Sequence, residues 1–589
     1  MGFWQLLAEN SEVAAVHAAL LPTGEVVYYS GNTGPDIPAQ VRVWNPATAE
    51  VRTPPNEPET DLFCSGHALL PDGRLFVAGG TGTYSTGPDD PWGGSKAAYI
   101  FDPSAGWQRV EDMSFGRWYP SVICLPDGRM LVASGDDNGV TSEQIEIYDP
   151  AGGAAGNWQV LPESASRDLP LYPRLHVLPS GEVACAGQGA ATAILNLQTN
   201  EWREVWPPLV AGGSGLDEPS GSGEDHDHEH EKPPEGPGEG DHVTVGPHHH
   251  PPGSAGPRPD DLAVLLPPAH FAKVLNAGGG NPNGTDEARI ISFLDPEPEW
   301  RTIAPMHVPR WFPNSVILPD GTLLVVGGGR FYNADPVMEA ELFDPETETW
   351  TVDSVMEVPR LYHSTALLLP DGRVWVAGTD GEVRMELYSP DYLSAGPRPV
   401  LFAAPVGVTY GQGFPIPMAD AAAVASVCFI RLGSVTHAFN TEQRYVPLDF
   451  TVTGPDEIEI TAPADQNVAP PGHYLLFIRN EAGVPAEAPI VQLVVTVAEP
   501  PVVLPGQDEE SAVIEEPVPV EEPIFAEGPV GIEEPVVVDA PGDVPAELGP
   551  CTAPDIVAAL RSALEEATLE EMKGHIAAIA DEIETRGVG

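Results

Sequence analysis

One phrase recurs along this chain and limits what it can fold into: an apolar run, a turn of the Pro-Asp-Gly kind, a second apolar run, then paired small residues. It reads GHALLPDGRLFVAGG from Gly66, YPSVICLPDGRMLVASG from Tyr119, FPNSVILPDGTLLVVGGG from Phe312 and YHSTALLLPDGRVWVAG from Tyr362, with looser copies from Val16 and Tyr172. The turn glycines Gly24, Gly73, Gly128, Gly181, Gly321 and Gly372 lie 49, 55, 53, 140 and 51 residues apart, and the long gap holds a seventh copy, AVLLPPAHFAKVLNAGGG from Ala263. Two apolar runs folded about a glycine turn make a β-hairpin. Downstream of the hairpins, phrases such as YIFDPSAGWQRV, EIYDPAGGAAGNWQV and ELFDPETETWTV supply two more short strands each.

Four strands repeating near every 50 residues describe the blade of a kelch-type β-propeller, and seven copies predict seven blades. At 589 residues the chain exceeds an ordinary single core, a limit the propeller escapes because each blade buries its faces against its neighbours. The expected class is therefore all-β, with the propeller over residues 1–397. Within it, 212–261 is expected to be a disordered insertion, since GEDHDHEHEKPPEGPGEGDHVTVGPHHHPPG cannot support a core. Its His226, His228, His230, His242, His248, His249 and His250 could loosely chelate copper, zinc or nickel, or simply be solvated. Over 398–497 the strands VASVCFIRLG, YVPLDFTV, EIEITAP and HYLLFIRN suit an immunoglobulin-like β-sandwich. An acidic Pro-rich linker (498–549) and a helical tail (550–589) follow. In the tail, Thr568 and Glu571 form a capping box between two short helices suited to a protein partner or self-association.

The formal charge of −60 repels phosphate backbones and anionic headgroups, so nucleic acid and acidic membranes are not expected as partners. No stretch approaches the roughly 20 apolar residues of a membrane span. Cys64, Cys124, Cys185, Cys428 and Cys551 are odd in number and lack metal-ribbon spacing, which indicates buried thiols rather than a disulfide framework. The first residues, MGFWQLLAENSEVAAVHAALLP, lack a conventional secretory signal, so the expectation is a cytoplasmic protein or one exported by an unrecognised route.

Four segments carry a more specific signal: DLFCSGHALLPDGR, GRWYPSVICLPDGR, PRLYHSTALLLPDGR and GSVTHAFNTEQRYVPL. They resemble the metal-site segments of the galactose oxidase and glyoxal oxidase family, and the similarity runs from about residue 14 to 497. The resemblance implies a copper ion and a Tyr-Cys thioether radical cofactor formed from Cys64 and Tyr119. It also implies metal ligation by Tyr119, Tyr362, His363 and His437, with catalysis by Tyr119, Cys64 and Tyr362. In that family a small aldehyde or primary alcohol and dioxygen become oxidised product and hydrogen peroxide. The residue types suit the task, because imidazole and phenolate donors fit tetragonal Cu(II) with an open position. Cu(II) accepts one electron where two must leave, so a second redox store is required, and the family provides it in the cross-linked tyrosyl radical.

Each residue also has a plain structural explanation. An aromatic recurs at Tyr119, Tyr172, Phe312 and Tyr362, so packing alone accounts for any one of them, with proline following at Pro120, Pro173 and Pro313 but His363 following Tyr362. Cys64 alone reads as a buried thiol and His437 alone as a loop histidine; their coincidence in family order reverses that. His17 and His67 read as structural or rim residues, with His67 close enough to Cys64 in sequence to line the pocket, and Asn440 and Arg444 as shaping the loop that carries His437. Two departures stand out. Asp137 occupies the register of the tryptophan that galactose oxidase stacks over its cross-link, and no segment matches its sugar-holding arginine. Small aldehydes such as glyoxal or methylglyoxal, or simple primary alcohols, are therefore expected as substrates. The alternative is a non-catalytic propeller that binds proteins or glycans as a scaffold.

Overall fold

The computed structural model describes residues 1–31, 40–85, 91–153, 155–187, 192–205, 260–280 and 283–495. The predicted His-rich insertion up to residue 259, the acidic linker, the helical tail and Cys551 lie outside the described residues.

Each recurring phrase forms a hairpin for a local reason. In Leu70–Arg74 the amide of Gly73 donates to the carbonyl of Leu70 (2.9 Å), that of Leu70 to Arg74 (2.9 Å), and Asp72 accepts from the Arg74 amide (3.1 Å). The turn glycine takes φ +89°, a left-handed conformation that side chains resist. In the seventh copy a short 3-10 turn over Ala269–Phe271 replaces this device, and Ala272 adopts φ 50°.

The hairpins build seven antiparallel sheets. Blades 2 to 6 are contiguous four-stranded sheets, with inner strands Gly66–Leu69, Ser121–Cys124, Leu175–Val177, Asp261–Leu265 and Asn314–Ile317. Blade 7 takes its inner three strands from Ser364–Leu368, Val374–Gly378 and Arg384–Ser389. Its outer strand is Phe3–Asn10 from the other end of the chain, with Phe3 opposite Ser389. This pairing closes the ring, because the next inner strand, His17–Leu20 of blade 1, lies beside Ser364–Leu368.

Two further sheets form the sandwich. One has five strands, ordered Gly407–Thr409, Ile490–Val494, Gly472–Asn480, Val424–Arg431 and Tyr445–Pro447; the other has three, Gly413–Pro417, Glu457–Thr461 and Phe450–Gly454. Their facing apolar residues, among them Phe429, Ile458, Leu476 and Val491, make a core of their own. The architecture is thus a seven-bladed propeller followed by an immunoglobulin-like sandwich, as the repeats and strand texture predict. Among the described residues no helix is long and apolar enough to cross a membrane.

The sandwich reaches into the propeller axis. A hairpin of Ser434–Thr436 and Phe439–Asn440 pairs with blade 1, Thr436 opposite His17 and Ser434 opposite Ala19, widening that sheet to six strands. The residues after it continue through the hub: Glu442 accepts from the Cys124 amide (3.4 Å), Gln443 from Ile317 (3.0 Å), and Arg444 donates to the carbonyl of Val177 (2.7 Å). Blades 3, 4 and 6 are thereby tied to one segment. Asn440 accepts from the Ser434 amide (3.0 Å) and sets the hairpin's shape, as expected for it and Arg444.

Candidate metal centre at the propeller hub

The lead-in to each inner strand decides where the candidate side chains go. Cys64, Tyr119, Tyr172, Phe312 and His363 all have positive φ, between 49° and 66°. Each stands nine positions before its turn glycine: Gly73, Gly128, Gly181, Gly321 and Gly372. A bulky side chain in this region is uncommon and persists only where its surroundings enforce it. Here the amide of Tyr119 donates to the carbonyl of Cys64 and that of Tyr172 to Tyr119, both at 2.8 Å, so the kinked residues are linked from blade to blade. This corrects the alignment of Tyr362 with Tyr119, Tyr172 and Phe312. His363 holds the shared position, and Tyr362 precedes it because the blade 7 lead-in has one extra residue after its arginine.

Those arginines are the scaffold. Arg117 donates to the Ser134 and Gln144 carbonyls (2.6 and 2.8 Å) and pairs with Glu146 (2.9 Å). Arg310 and Arg360 repeat the pattern with Glu341 (2.8 Å) and Glu386 (3.4 Å). Each glutamate also accepts an amide of the preceding loop, from Ser114, His307 and Glu357 at 2.7, 2.7 and 2.8 Å. All six side chains are buried, and ion pairs so enclosed hold only while every partner is present.

The five candidates converge on the hub. The hydroxyls of Tyr119 and Tyr362 are 2.5 Å apart, although 243 residues separate them in the chain. The ring of His437 stands edge-on to Tyr119 (4.9 Å), Tyr362 (5.4 Å) and His363 (4.7 Å). Cys64 Sγ lies 3.8 Å from His437 Nε2, and the ligand atoms of Cys64, His363 and His437 fall within 4.8 Å of one another. Cys64 and Tyr119 share one buried cluster with Trp118 and Tyr172. None of the five exceeds 4% exposure.

The histidines are oriented as ligands need to be. His363 Nδ1 is 2.5 Å from Asp380 Oδ1, while its Nε2 is buried without a hydrogen-bond partner. His437 Nδ1 is 2.6 Å from the Thr436 hydroxyl, which also donates to the Val16 carbonyl (3.0 Å), so Thr436 holds the ring while Nε2 faces the cluster. A second partner on the far nitrogen fixes tautomer and direction. His437 has φ 50° at the tip of its hairpin, and Arg174 holds its carbonyl (3.2 Å).

His17 and His67 are structural, as expected. His17 Nε2 accepts the Cys64 amide (3.2 Å), and its ring stacks on Tyr29 (4.5 Å). His67 Nδ1 meets the Ser434 hydroxyl at 2.6 Å. Burial pushes His67 down to about 3. Burial, then the neighbouring His67 and His363, lower His17 as well, so both rings are neutral. Asp137 accepts the Gly94 amide (3.1 Å). Besides His437, Trp118 (4.2 Å) and Tyr172 (4.8 Å) lie against the Tyr119 ring. Sequence reasoning missed the Arg-Glu pairs, Asp380, Thr436 and Trp118. The pairs had a signal, an arginine before each of WYP, WFP and LYH with a glutamate in EIYDP, ELFDP and ELYS; the others had none.

The family description "Glyoxal oxidase N-terminus" matches residues 272–393, and "Galactose oxidase-like, Early set domain" matches 398–493. The chain is similar to the glyoxal and galactose oxidases. It is 27% identical to an aldehyde oxidase GLOX of Vitis pseudoreticulata over 84% of this chain and 97% of that protein. It is also 27% identical to a galactose oxidase of Gibberella zeae, over 76% of this chain but only 63% of the relative. In fold it is similar to a fungal alcohol oxidase of the AA5 family solved with copper, with a TM-score of 0.65 at 24% identity, covering 84% of this chain and 99% of that one.

Proposed function

We propose that this chain is a copper radical oxidase. It converts a small aldehyde or primary alcohol, with dioxygen, to the oxidised product and hydrogen peroxide. Copper is held by Tyr119, Tyr362, His363 and His437, and Cys64 is joined through sulfur to the Tyr119 ring. One observation carries the reading: two tyrosine hydroxyls 2.5 Å apart face two imidazoles, one of which has a buried Nε2 without a partner. A nitrogen and oxygen donor set of this kind fits Cu(II).

Bound copper supplies one of the two one-electron acceptors that alcohol oxidation needs. The protein supplies the rest. Tyr362 is placed to take the substrate's hydroxyl proton, and the oxygen of Tyr119 beside it to take hydrogen from the substrate carbon. Asp380 and Thr436 keep the imidazoles aimed, and burial excludes water from the radical-bearing ring. Forming the carbon-sulfur bond removes one hydrogen from Cys64 and one from Tyr119, with dioxygen as acceptor. The intact mass should therefore fall by two hydrogens on aerobic copper loading, and Cys64→Ser should prevent it. Peroxide release is then measured with a panel of aldehydes and primary alcohols; an unchanged mass and no peroxide from any of them would sink the proposal.

A further inference from the structure

Four oxidisable rings run from the buried Tyr119 to a cleft at the propeller rim. Trp118 lies against Tyr119 with ring centroids 4.2 Å apart. Trp92 stacks on Trp118 at 5.2 Å with planes 2° from parallel, and Tyr84 follows at 5.1 Å. Exposure rises along the series, from 1% at Tyr119 and 2% at Trp118 to half-buried Trp92 and Tyr84. Tyr84 lines a cleft of about 870 Å³, together with Glu59, Asp61, Asp137 and Lys96. Its hydroxyl donates to Asp61, an acceptor already in place for a proton released on oxidation. Burial and then the adjacent Asp61 raise the Tyr84 phenol well above its ordinary value, which keeps it protonated at rest.

On the other side Tyr362 rests on Phe312 (4.6 Å), with Trp311 in the same buried cluster and the exposed Tyr332 6.3 Å away. Those rings lead outward from Tyr362, not from Tyr119, the residue read as the radical. Tyr172, which also lies against Tyr119, is fully enclosed.

We propose that Trp118, Trp92 and Tyr84 form an electron-transfer route through which a cationic one-electron oxidant, docked in the acidic cleft, converts Tyr119 to its radical. The inference rests on the reading of Tyr119 as the radical residue. Held as a phenolate by Cu(II), Tyr119 would lose one electron and no proton, and the oxidant would gain that electron. Each intervening ring gives an electron outward and is refilled from the ring behind it. Tyr84 passes its hydroxyl proton to Asp61 while oxidised and takes it back on refilling. Rings in van der Waals contact make each step short, and three carboxylates against Lys96 and the Arg109 paired with Glu59 (3.5 Å) leave the cleft net negative, which favours a cation.

The test follows the tyrosyl radical's absorption and electron paramagnetic resonance signal after mixing the copper(II)-loaded, radical-free full chain with tris(bipyridine)ruthenium(III), a cation strong enough to oxidise tryptophan. Trp92→Phe should slow radical formation about tenfold or more, equivalent to about 1.4 kcal/mol of barrier. Tyr84→Phe should slow it less, because the oxidant can still meet Trp92. Both replacements keep a ring in place and should leave the Cys64–Tyr119 mass change and peroxide turnover as in the parent. Glu59→Gln should lower the rate and weaken its decline with salt. Unchanged rates in Trp92→Phe, or slowing by Tyr332→Phe instead, would overturn the route. Failure of the parent protein to form any radical would instead overturn the reading of Tyr119.

Discussion

Blade 3 and blade 7 enter the hub with nearly the same equipment and deliver different chemistry. Each begins with a buried arginine clamped to a third-strand glutamate, Arg117 to Glu146 and Arg360 to Glu386. Each then kinks through a residue of positive φ, Tyr119 at 66° and His363 at 65°. One additional residue in blade 7 separates arginine from kink, so Tyr362 sits ahead of the imidazole and its hydroxyl meets that of Tyr119 at 2.5 Å. A repeated scaffold thus became an asymmetric donor set through a shift of one residue on fixed strands. The asymmetry continues outward: Trp118 and Trp92 stand in series behind Tyr119, whereas Phe312 lies against Tyr362 with Trp311 beyond it.

The sharpest way to break this comparison is to remove the two hydroxyls separately. Tyr119→Phe should abolish both the two-hydrogen mass loss and all peroxide release. Tyr362→Phe should retain the mass loss but lower kcat by about 10²–10⁴-fold, the usual range for a lost general base. Equal effects on cross-linking would mean that the two tyrosines are not differentiated as described.

The shared scaffold makes the opposite prediction, of similarity. Arg117→Met and Arg360→Met each strand a buried glutamate and should each destabilise the fold by about 3–5 kcal/mol, read from chemical denaturation. A loss confined to one blade would show that the clamps are not equivalent.

A smaller effect separates the blades again. Asp380 holds His363 in blade 7, so Asp380→Asn should weaken copper binding about 10–100-fold in a competition titration while leaving thermal unfolding of the copper-free protein nearly unchanged. Undiminished affinity would remove Asp380 from the site.

A last probe lies behind the kink. A methyl group on Gly378, at φ +78°, would come within 2.5 Å of the His363 and Ala15 carbonyls. Gly378→Ala should therefore cost about 1–2 kcal/mol from the left-handed conformation alone, and more because both neighbours are backbone oxygens that cannot swing aside. A variant as stable as the parent would show that the blade 7 lead-in yields more easily than its hydrogen bonds suggest.

Much of the fold was legible because each hairpin is local: apolar alternation and a glycine turn specify it wherever it falls. The fourth strand of blade 7 was not legible, since Phe3–Asn10 pairs with strands nearly 400 residues away and carries no repeat phrase. Of the candidate site, the five side chains were identified through their segments. The kink register was present in the spacing to the turn glycines, but aligning the blades on their aromatics concealed it. Asp380 and Thr436 were invisible, because an orienting hydrogen bond leaves no spacing signature.

What the chain's own order of residues determined is the number of blades, the sandwich that follows, and the set of side chains able to hold a metal, because these depend on short-range pattern and residue chemistry. Only the tertiary structure decided that the sandwich's hairpin enters the axis beside blade 1, that Thr436 and Asp380 aim the imidazoles, and that Trp118 and Trp92 stand in series behind Tyr119. Those are contacts between segments remote in the chain, and they exist only once ring closure has brought every blade's kinked lead-in to a common centre.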